Sequence, residues 1–209
     1  MNIAIRANEA QKKELFEKGV GKNTIVQWIK PGGMLSEVRS DAFIDLMFND
    51  AAPATNEFIN DKLVFAHAVN CVCSEIKKPN YIRMNAWNGF LNRPVIELAG
   101  NNDAYKKQAE EILKKLEWEF LWVADDYGFI AARVIAMIIN EAYYALEEKV
   151  STKIQIDTAM KLGTNYPYGP FEWSEKIGLK NILFLLQKLS ETNKRYTISS
   201  LLVQKSQQF

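Results

Sequence analysis

His67 is the only histidine in this chain of 209 residues, which makes it the first candidate for a general base. Imidazole is the side chain whose charge changes most readily near neutral pH. His67 stands inside the apolar run LVFAHAV, residues 63–69, which is typical of a buried strand. The sequence therefore favours a packed or hydrogen-bonded imidazole over a catalytic one.

Glu97 and two asparagines are the other polar residues that could form a site. Glu97 lies in the apolar run RPVIEL, residues 93–98, and could act as a general base if burial raised its pKa. The competing interpretation is a solvated or hydrogen-bonded strand acid. Asn85 and Asn88, in the segment YIRMNAWN, could bind a polar ligand in a cleft.

Cys71 and Cys73 have one residue between them, so on a strand both side chains would point to the same face. This spacing is too tight for an ordinary structural disulfide, and two cysteines are too few for a metal site. We interpret them as small buried apolar residues in a reducing compartment.

The composition is that of a folded protein without a preference for polyanions. Hydrophobic residues make up 48% of the chain, which is enough to bury a core in one large domain or two small ones. The 26 Lys and Arg against 25 Asp and Glu give a net charge of +1, so nucleic acid is not expected as a partner. The sequence shows no signal peptide and no membrane span, so we expect a cytoplasmic protein.

Short apolar runs predict a sheet in the first part of the chain. A helix is predicted over residues 9–18, ending at Gly19, and another over residues 102–116. Strands that alternate with helices indicate a mostly parallel sheet buried on both faces. The predicted strands are residues 2–7, 24–29, 42–48, 63–69, 81–86, 93–98 and 119–124.

From Gly128 onward the pattern is helical only, which predicts an α/β domain over residues 1–125 and an all-helical domain over residues 126–209. The helix over residues 128–148 is apolar on nearly every side, so we expect it to be covered by the rest of the chain, by a second subunit, or by both. Another helix is predicted over residues 154–162, and a third follows the Gly- and Pro-containing loop at 163–170. The segment after Thr197 is expected to fray.

The helical half resembles the C-terminal domain of the 3-hydroxyacyl-CoA dehydrogenases, in which a Gly-Phe pair opens a long buried helix that ends in Asn-Glu-Ala. The matching segments are Gly128-Phe129, Asn140-Glu141-Ala142, DTAMKLG at 157–163 and YPYGPFE at 166–172. Fainter matches are RMNAWN at 83–88, PVIEL at 94–98 and RYTISSLL at 195–202. The resemblance implies a reduced Rossmann-like parallel-sheet domain, then the family's helical domain, and a homodimer formed through that helical domain.

The resemblance also implies a reaction in which a base takes the proton of a 3-hydroxyl while hydride passes from the same carbon to NAD. NAD binding requires a glycine-rich turn after the first strand. Residues 6–11 read RANEAQ, without glycine, and Glu9 carries a negative charge where the pyrophosphate would lie. The second strand ends at Lys30 instead of a ribose-binding acid. We expect no cofactor, or NAD only if the family's function survives.

The family's site residues are carried over to this chain position by position. Asn85 stands where the family has its catalytic histidine, and an amide cannot accept the proton. Glu97 matches the acid that supports that histidine, and Ala132 matches a substrate-positioning asparagine. The family's serine falls near Val72 or Asn70, depending on where the gap is placed. Asn85 and Glu97 are thus the catalytic candidates, and Asn88 and Asn70 are the substrate-binding candidates.

Two functions follow from these observations. The first is a 3-hydroxyacyl-CoA dehydrogenase homologue that has lost NAD binding and hydride transfer, acts as a binding or assembly protein, and could still admit an acyl-CoA or another small ligand. The second is an active oxidoreductase of fatty-acid metabolism that works through a rearranged site with Glu97.

Overall fold

The chain folds into two compact units, Met1–Phe129 and Ile130–Phe209. They are seen in a computed structural model that describes residues 1–60 and 62–208. The first unit contains a seven-stranded sheet with helices, and the second unit consists of helices. This is the α/β plus all-helical organisation that the sequence predicts.

The sheet of the first unit has the strand order β2-β1-β3-β4-β5-β6-β7. Strands β1 to β5 are parallel, β6 is antiparallel to β5, and β7 is parallel to β6. The expected mostly parallel sheet is therefore confirmed. The strands are β1 (Asn2–Arg6), β2 (Ile25–Ile29), β3 (Ala42–Asp45), β4 (Val64–His67), β5 (Tyr81–Met84), β6 (Val95–Ala99) and β7 (Glu119–Trp122).

The sheet is buried on both faces, as parallel sheets usually are. One face packs on α1 (Glu9–Lys18) and α3 (Asp103–Leu116) through residues such as Leu15 and Leu113. The other face packs on loop residues such as Leu35 and on α2 (Cys73–Ile76). Residues 30–41, all of them described, join β2 to β3 without a helix, which agrees with the short connection that the sequence offers.

The parallel strands bring their carboxyl ends to a common edge of the sheet. Ligands of open α/β sheets bind outside this edge, because the loops that follow the strands converge there. The residues at or just after the strand ends are Arg6, Asp45, His67 and Asn85. Glu97 joins them because β6 runs antiparallel to β5 and Met84 pairs with Leu98. This edge is called the polar edge below.

The second unit is built around α4 (Ala131–Glu147), which packs against α6, α7 and α8. One side of α4 is buried through Ile135, Ile139 and Tyr143, whereas Val134 on the other side is 49% exposed. Within the described parts of the chain, none of the helices combines the length and apolar character needed to cross a bilayer. The remaining helices are α5 (Lys153–Thr164), α6 (Pro170–Ile177), α7 (Leu179–Ser190) and α8 (Ser200–Ser206).

The segment after Thr197 does not fray, so that prediction is wrong. The buried Asn140 side chain donates to Thr197 O at 2.9 Å and accepts from Ser199 N at 2.9 Å. Ser199 Oγ donates to Glu147 Oε2 at 2.9 Å, and Leu202 of α8 is fully buried. Two polar residues of α4 thus hold the start of α8, a constraint that a weakly amphipathic sequence does not reveal.

Candidate functional site

Asn85 and Glu97 meet at the polar edge. Asn85 Nδ2 donates to Glu97 Oε2 at 2.8 Å, and Asn85 N donates to the Glu97 carbonyl oxygen at 3.1 Å. Asn85 is 3% exposed, whereas Glu97 is half-buried. The structure therefore joins the two catalytic candidates, but as an amide donor and a carboxylate acceptor. This pair can orient a polar group, whereas the amide cannot take up a proton.

The two candidate substrate-binding asparagines lie in loops after β4 and β5. Asn70 is buried, and its backbone N donates to Asp50 Oδ2 at 2.8 Å. Asn88 is half-buried in the loop between β5 and β6. Of the positions matched to other family residues, Val72 precedes α2 and Ala132 is fully buried in the first turn of α4. A methyl group at position 132 offers no polar contact to a ligand.

Four buried polar atoms near the carboxyl ends of β4 and β5 have no hydrogen-bond partner among residues 1–60 and 62–208. They are His67 Nδ1, Asn70 Oδ1, Asn85 Oδ1 and Trp87 Nε1. Buried polar groups are nearly always paired, because an unmade hydrogen bond costs about 1–3 kcal/mol. Two amide oxygens, an indole N–H and an imidazole nitrogen offer acceptors and donors without a net charge. Each of these atoms suits a neutral polar group such as an amide, a carbonyl or a hydroxyl.

His67 ends β4 and lies on the sheet face that packs on α1 and α3, because Phe65, two residues earlier, belongs to that core. Burial lowers the pKa of His67, and the nearby charges of Asp50 and Asp45 only partly oppose the shift. The imidazole is therefore neutral at pH 7. The packed histidine that the sequence favours agrees with this environment.

The turn between β1 and α1 is closed by side chains of the chain itself. Gln11 N donates to Asn8 Oδ1 at 2.9 Å, and Asn8 N donates to Gln11 Oε1 at 3.0 Å, which forms a capping box. Gln11 Nε2 also donates to Leu46 O at 2.8 Å, and Gln11 is 5% exposed. Two amides at the N-terminus of α1 are thus already bonded to side-chain oxygens. Glu9 lies exposed beside them and adds a negative charge.

Arg6 and Asp45 form a buried ion pair between the ends of β1 and β3. Arg6 Nε lies 2.9 Å from Asp45 Oδ1, and Arg6 Nη2 lies 2.6 Å from Asp45 Oδ2. Arg6 Nη1 also donates to Gly33 O at 3.3 Å and lies 3.6 Å from Glu57 Oε2. Asp45 is fully buried, so its negative charge needs a partner within the protein, and Arg6 is that partner. Moving Arg6 to another ligand would leave a buried carboxylate unpaired.

The sequence reasoning missed this pair, and it also missed Arg83. Arg83 is fully buried on β5, where its Nη1 lies 2.5 Å from Asp125 Oδ1 and its Nη2 donates to Asp126 O. A charged residue inside an otherwise apolar strand, as in AFID and YIRM, is the signal that could have found both arginine contacts. Buried charges are rarely left unpaired, so each such residue requires a partner.

The two cysteines are not among the residues that form the polar edge. Both are free and buried, with Cys71 in the loop after β4 and Cys73 at the first position of α2. Burial raises the pKa of Cys73 to about 12, so its thiol stays protonated at neutral pH. The interpretation of the pair as buried apolar residues is confirmed.

Comparison with known protein families gives a match in the helical unit. The family described as "3-hydroxyacyl-CoA dehydrogenase, C-terminal domain" matches residues 128–207. The 3-hydroxyadipyl-CoA dehydrogenase of Escherichia coli K12 is 42% identical over 110 residues, which are 52% of this chain and 23% of that protein. The 3-hydroxybutyryl-CoA dehydrogenase of Bradyrhizobium diazoefficiens is 37% identical over 109 residues, which are 49% of this chain and 37% of that protein. The matches thus span less than half of either relative.

Solved structures extend the similarity of fold to the whole chain. The crystal structure of FadB2 from M. tuberculosis aligns with 99% of this chain and 93% of its own, with a TM-score of 0.74 and 12% identity. At that identity the likeness concerns the fold alone. The 3-hydroxybutyryl-CoA dehydrogenase structure from E. coli K12 is 35% identical over 61% of this chain and 27% of its own, with a TM-score of 0.55.

The lowered pKa of His67 predicts that the protein loses stability as the pH falls below about 6.5, the ordinary value for histidine. Below that pH the unfolded chain binds a proton that the folded chain does not, which favours unfolding by at most about 1.4 kcal/mol per pH unit. Urea denaturation at pH 7.5 and pH 5.5 should show a loss about 1 kcal/mol larger for the wild type than for His67→Gln, which cannot titrate. Equal losses in the two proteins would contradict the assignment.

Proposed function

We propose that this chain, whose helical unit matches the C-terminal domain of the 3-hydroxyacyl-CoA dehydrogenases, neither binds NAD nor transfers hydride and acts as a binding or assembly protein. The family's reaction needs a dinucleotide site and a proton acceptor next to the substrate hydroxyl. The residues at the polar edge do not fit either requirement.

The turn after β1 carries this proposal. A dinucleotide pyrophosphate binds to free amides at the N-terminus of the first helix, where glycine lets it approach the backbone. Here the side chains of Asn8 and Gln11 accept hydrogen bonds from two of those amides. The Gln11 side chain also donates to Leu46 O. NAD would have to break this capping box and lie beside the carboxylate of Glu9. Arg6 cannot compensate without leaving the buried Asp45 carboxylate unpaired.

The residue at the position of the family's catalytic histidine supports the same function. Asn85 stands there and donates its amide hydrogen to Glu97. No imidazole therefore lies between the Glu97 carboxylate and a substrate to accept the proton. For the alternative function, an oxidoreductase that uses Glu97 as its base, Glu97 must give up this hydrogen bond and a dinucleotide site must form elsewhere. We therefore favour the binding or assembly function over hydride transfer.

The unpaired atoms of the polar edge support a binding role. His67, Asn70, Asn85 and Trp87 each offer a buried polar atom with no partner among the described residues. Desolvated donors and acceptors of this kind select ligands that complete their hydrogen bonds. The amide and thioester groups of an acyl-CoA meet this requirement, as do other small molecules with amide or hydroxyl groups. A ligand bound in this way would not be oxidised.

Titration calorimetry with NAD⁺ and NADH tests the proposed loss of the cofactor. We expect no binding heat with either nucleotide up to about 1 mM, for the wild type and for Asn85→His alike, because the substitution restores an imidazole but leaves the turn after β1 unchanged. The Asn85→His protein should also form no NADH from a 3-hydroxyacyl-CoA, followed by absorbance. Micromolar binding of NAD by the wild type would overturn the proposal and favour the oxidoreductase.

We also propose that the helical unit forms a homodimer, as the resemblance to the family implies. Val134 and Ile130 lie four residues apart at the start of α4 and are 49% and 53% exposed. On α5, Ile154 and Leu162 are 79% and 83% exposed. Exposed apolar side chains on two helices of one unit favour a surface that a partner covers, and a second copy of the chain carries the same surface.

Light scattering coupled to size exclusion tests the dimer. The wild type should have twice the monomer mass of 23.9 kDa. Val134→Glu should shift the protein to the monomer, because a desolvated carboxylate without a partner opposes association. Ile25→Glu is the matched control, since Ile25 is 69% exposed on β2 in the other unit. A monomeric wild type, or a Val134→Glu protein that stays dimeric, would contradict this proposal.

A further inference from the structure

A cavity of about 550 Å³ lies wholly within the helical unit. Its size is that of sites for small organic ligands, which usually occupy about 300–1,000 Å³. All five α-helices described in this unit, α4 to α8, contribute to its wall, so the cavity depends on their packing rather than on a single loop. The wall includes Tyr143 of α4, Lys153 of α5, Ser174 of α6, Leu179 and Lys180 of α7, and Lys205 of α8.

The charged groups of the wall are mostly cationic. Lys153, Lys180 and Lys205 come from three different helices, and Glu175 is the carboxylate among the lining residues. Lys153 Nζ lies 5.3 Å from the centre of the Phe171 ring, which holds that ammonium against the aromatic part of the unit. Three lysines from three helices that line one cavity favour an anionic occupant.

The inner wall combines hydroxyl groups with apolar surface. Tyr143 and Ser174 are each 2% exposed, and burial raises the pKa of Tyr143 while its hydrogen bond to Ser174 lowers it in part. The Tyr143 ring also packs edge-on against Phe171, with the ring centres 5.1 Å apart. Leu179 adds an apolar side chain. A ligand that reaches this wall would place an apolar group against the rings and a polar atom near the hydroxyls.

The first turn of α7 opens onto the same cavity. Gly178 precedes α7 and lines the cavity, and its carbonyl oxygen accepts from Asn181 N at 3.1 Å. The N-terminus of a 12-residue helix adds a partial positive charge next to Lys180, and the C-terminus of α6 at Ile177 offsets part of it. The lysines therefore supply most of the attraction for an anion.

The geometry points to a binding site for a small organic anion, with a phosphate or carboxylate held by Lys153, Lys180, Lys205 and the start of α7, and an apolar group against Tyr143 and Leu179. This site lies in the helical unit and does not depend on the proposed function of the polar edge. Because a phosphate and a carboxylate share this chemistry, the experiment below compares the two.

The probes are phenyl phosphate, benzoate and phenol, titrated into the full chain while amide NMR spectra are recorded. We expect saturable shifts at Gly178, Leu179 and Lys180 with phenyl phosphate or benzoate, and the tighter of the two identifies the preferred head group. Phenol shares the ring but lacks the charge, and it should produce no saturable shift. Added salt should weaken the binding, because screening reduces the attraction to the lysines.

The double variant Lys180→Gln/Lys205→Gln should weaken binding of the anion roughly tenfold or more, since each charge-assisted contact contributes a factor of several. Both lysines reach the surface, so the variant should fold, which circular dichroism checks. Lys194→Gln is the matched control, because Lys194 is an exposed lysine of the same unit that does not line the cavity. The site is disproved if neither anion gives saturable shifts, if phenol binds equally well, or if the double variant binds like the wild type.

Discussion

The bidentate ion pair between Arg6 and Asp45 ties together the carboxyl ends of β1 and β3, next to the turn that leads into α1. The same guanidinium holds Gly33 O and approaches Glu57, whose carboxylate accepts from Leu35 N and Ser36 N. Breaking a buried pair by removing one partner costs about 3–5 kcal/mol. The edge of the sheet where a dinucleotide would lie is therefore organised by the protein's own charges, which is why we propose that phosphates do not bind there.

The polar groups at the turn between β1 and α1 are hydrogen-bonded within the chain, in contrast to several at the ends of β4 and β5. Around the first turn, Asn8, Gln11 and Arg6 each have hydrogen-bond partners supplied by the chain. Near the ends of β4 and β5, one buried polar atom of each of four residues has none among the described residues. The two regions belong to the same edge but differ in what they offer: the first has its amides bonded to the chain's own side chains, and the second carries buried polar atoms without a partner among the described residues. This difference is the physical basis of the proposed binding function without hydride transfer.

Much of the fold could be predicted because burial dictates the pattern of apolar residues. All seven strands were located, and α1 was predicted with its observed ends at Glu9 and Lys18. Strand ends were less well predicted, since Leu46 and Phe48 remain buried after β3 has ended at Asp45, so hydrophobicity does not mark the boundary. The contact of Asn85 with Glu97 followed from the resemblance to the family. The Arg6–Asp45 pair joins residues 39 positions apart, and the lysines of the helical cavity come from three helices, so neither leaves a local pattern in the sequence.

A crystal structure of the chain grown with excess NAD⁺ would show whether a nucleotide binds at the turn after β1, because it locates the atoms at the N-terminus of α1. We expect an intact Asn8–Gln11 capping box, Arg6 still paired with Asp45, and no nucleotide density at that turn. Pyrophosphate density on the amides of Asn8 to Gln11, with the capping box opened, would contradict this expectation.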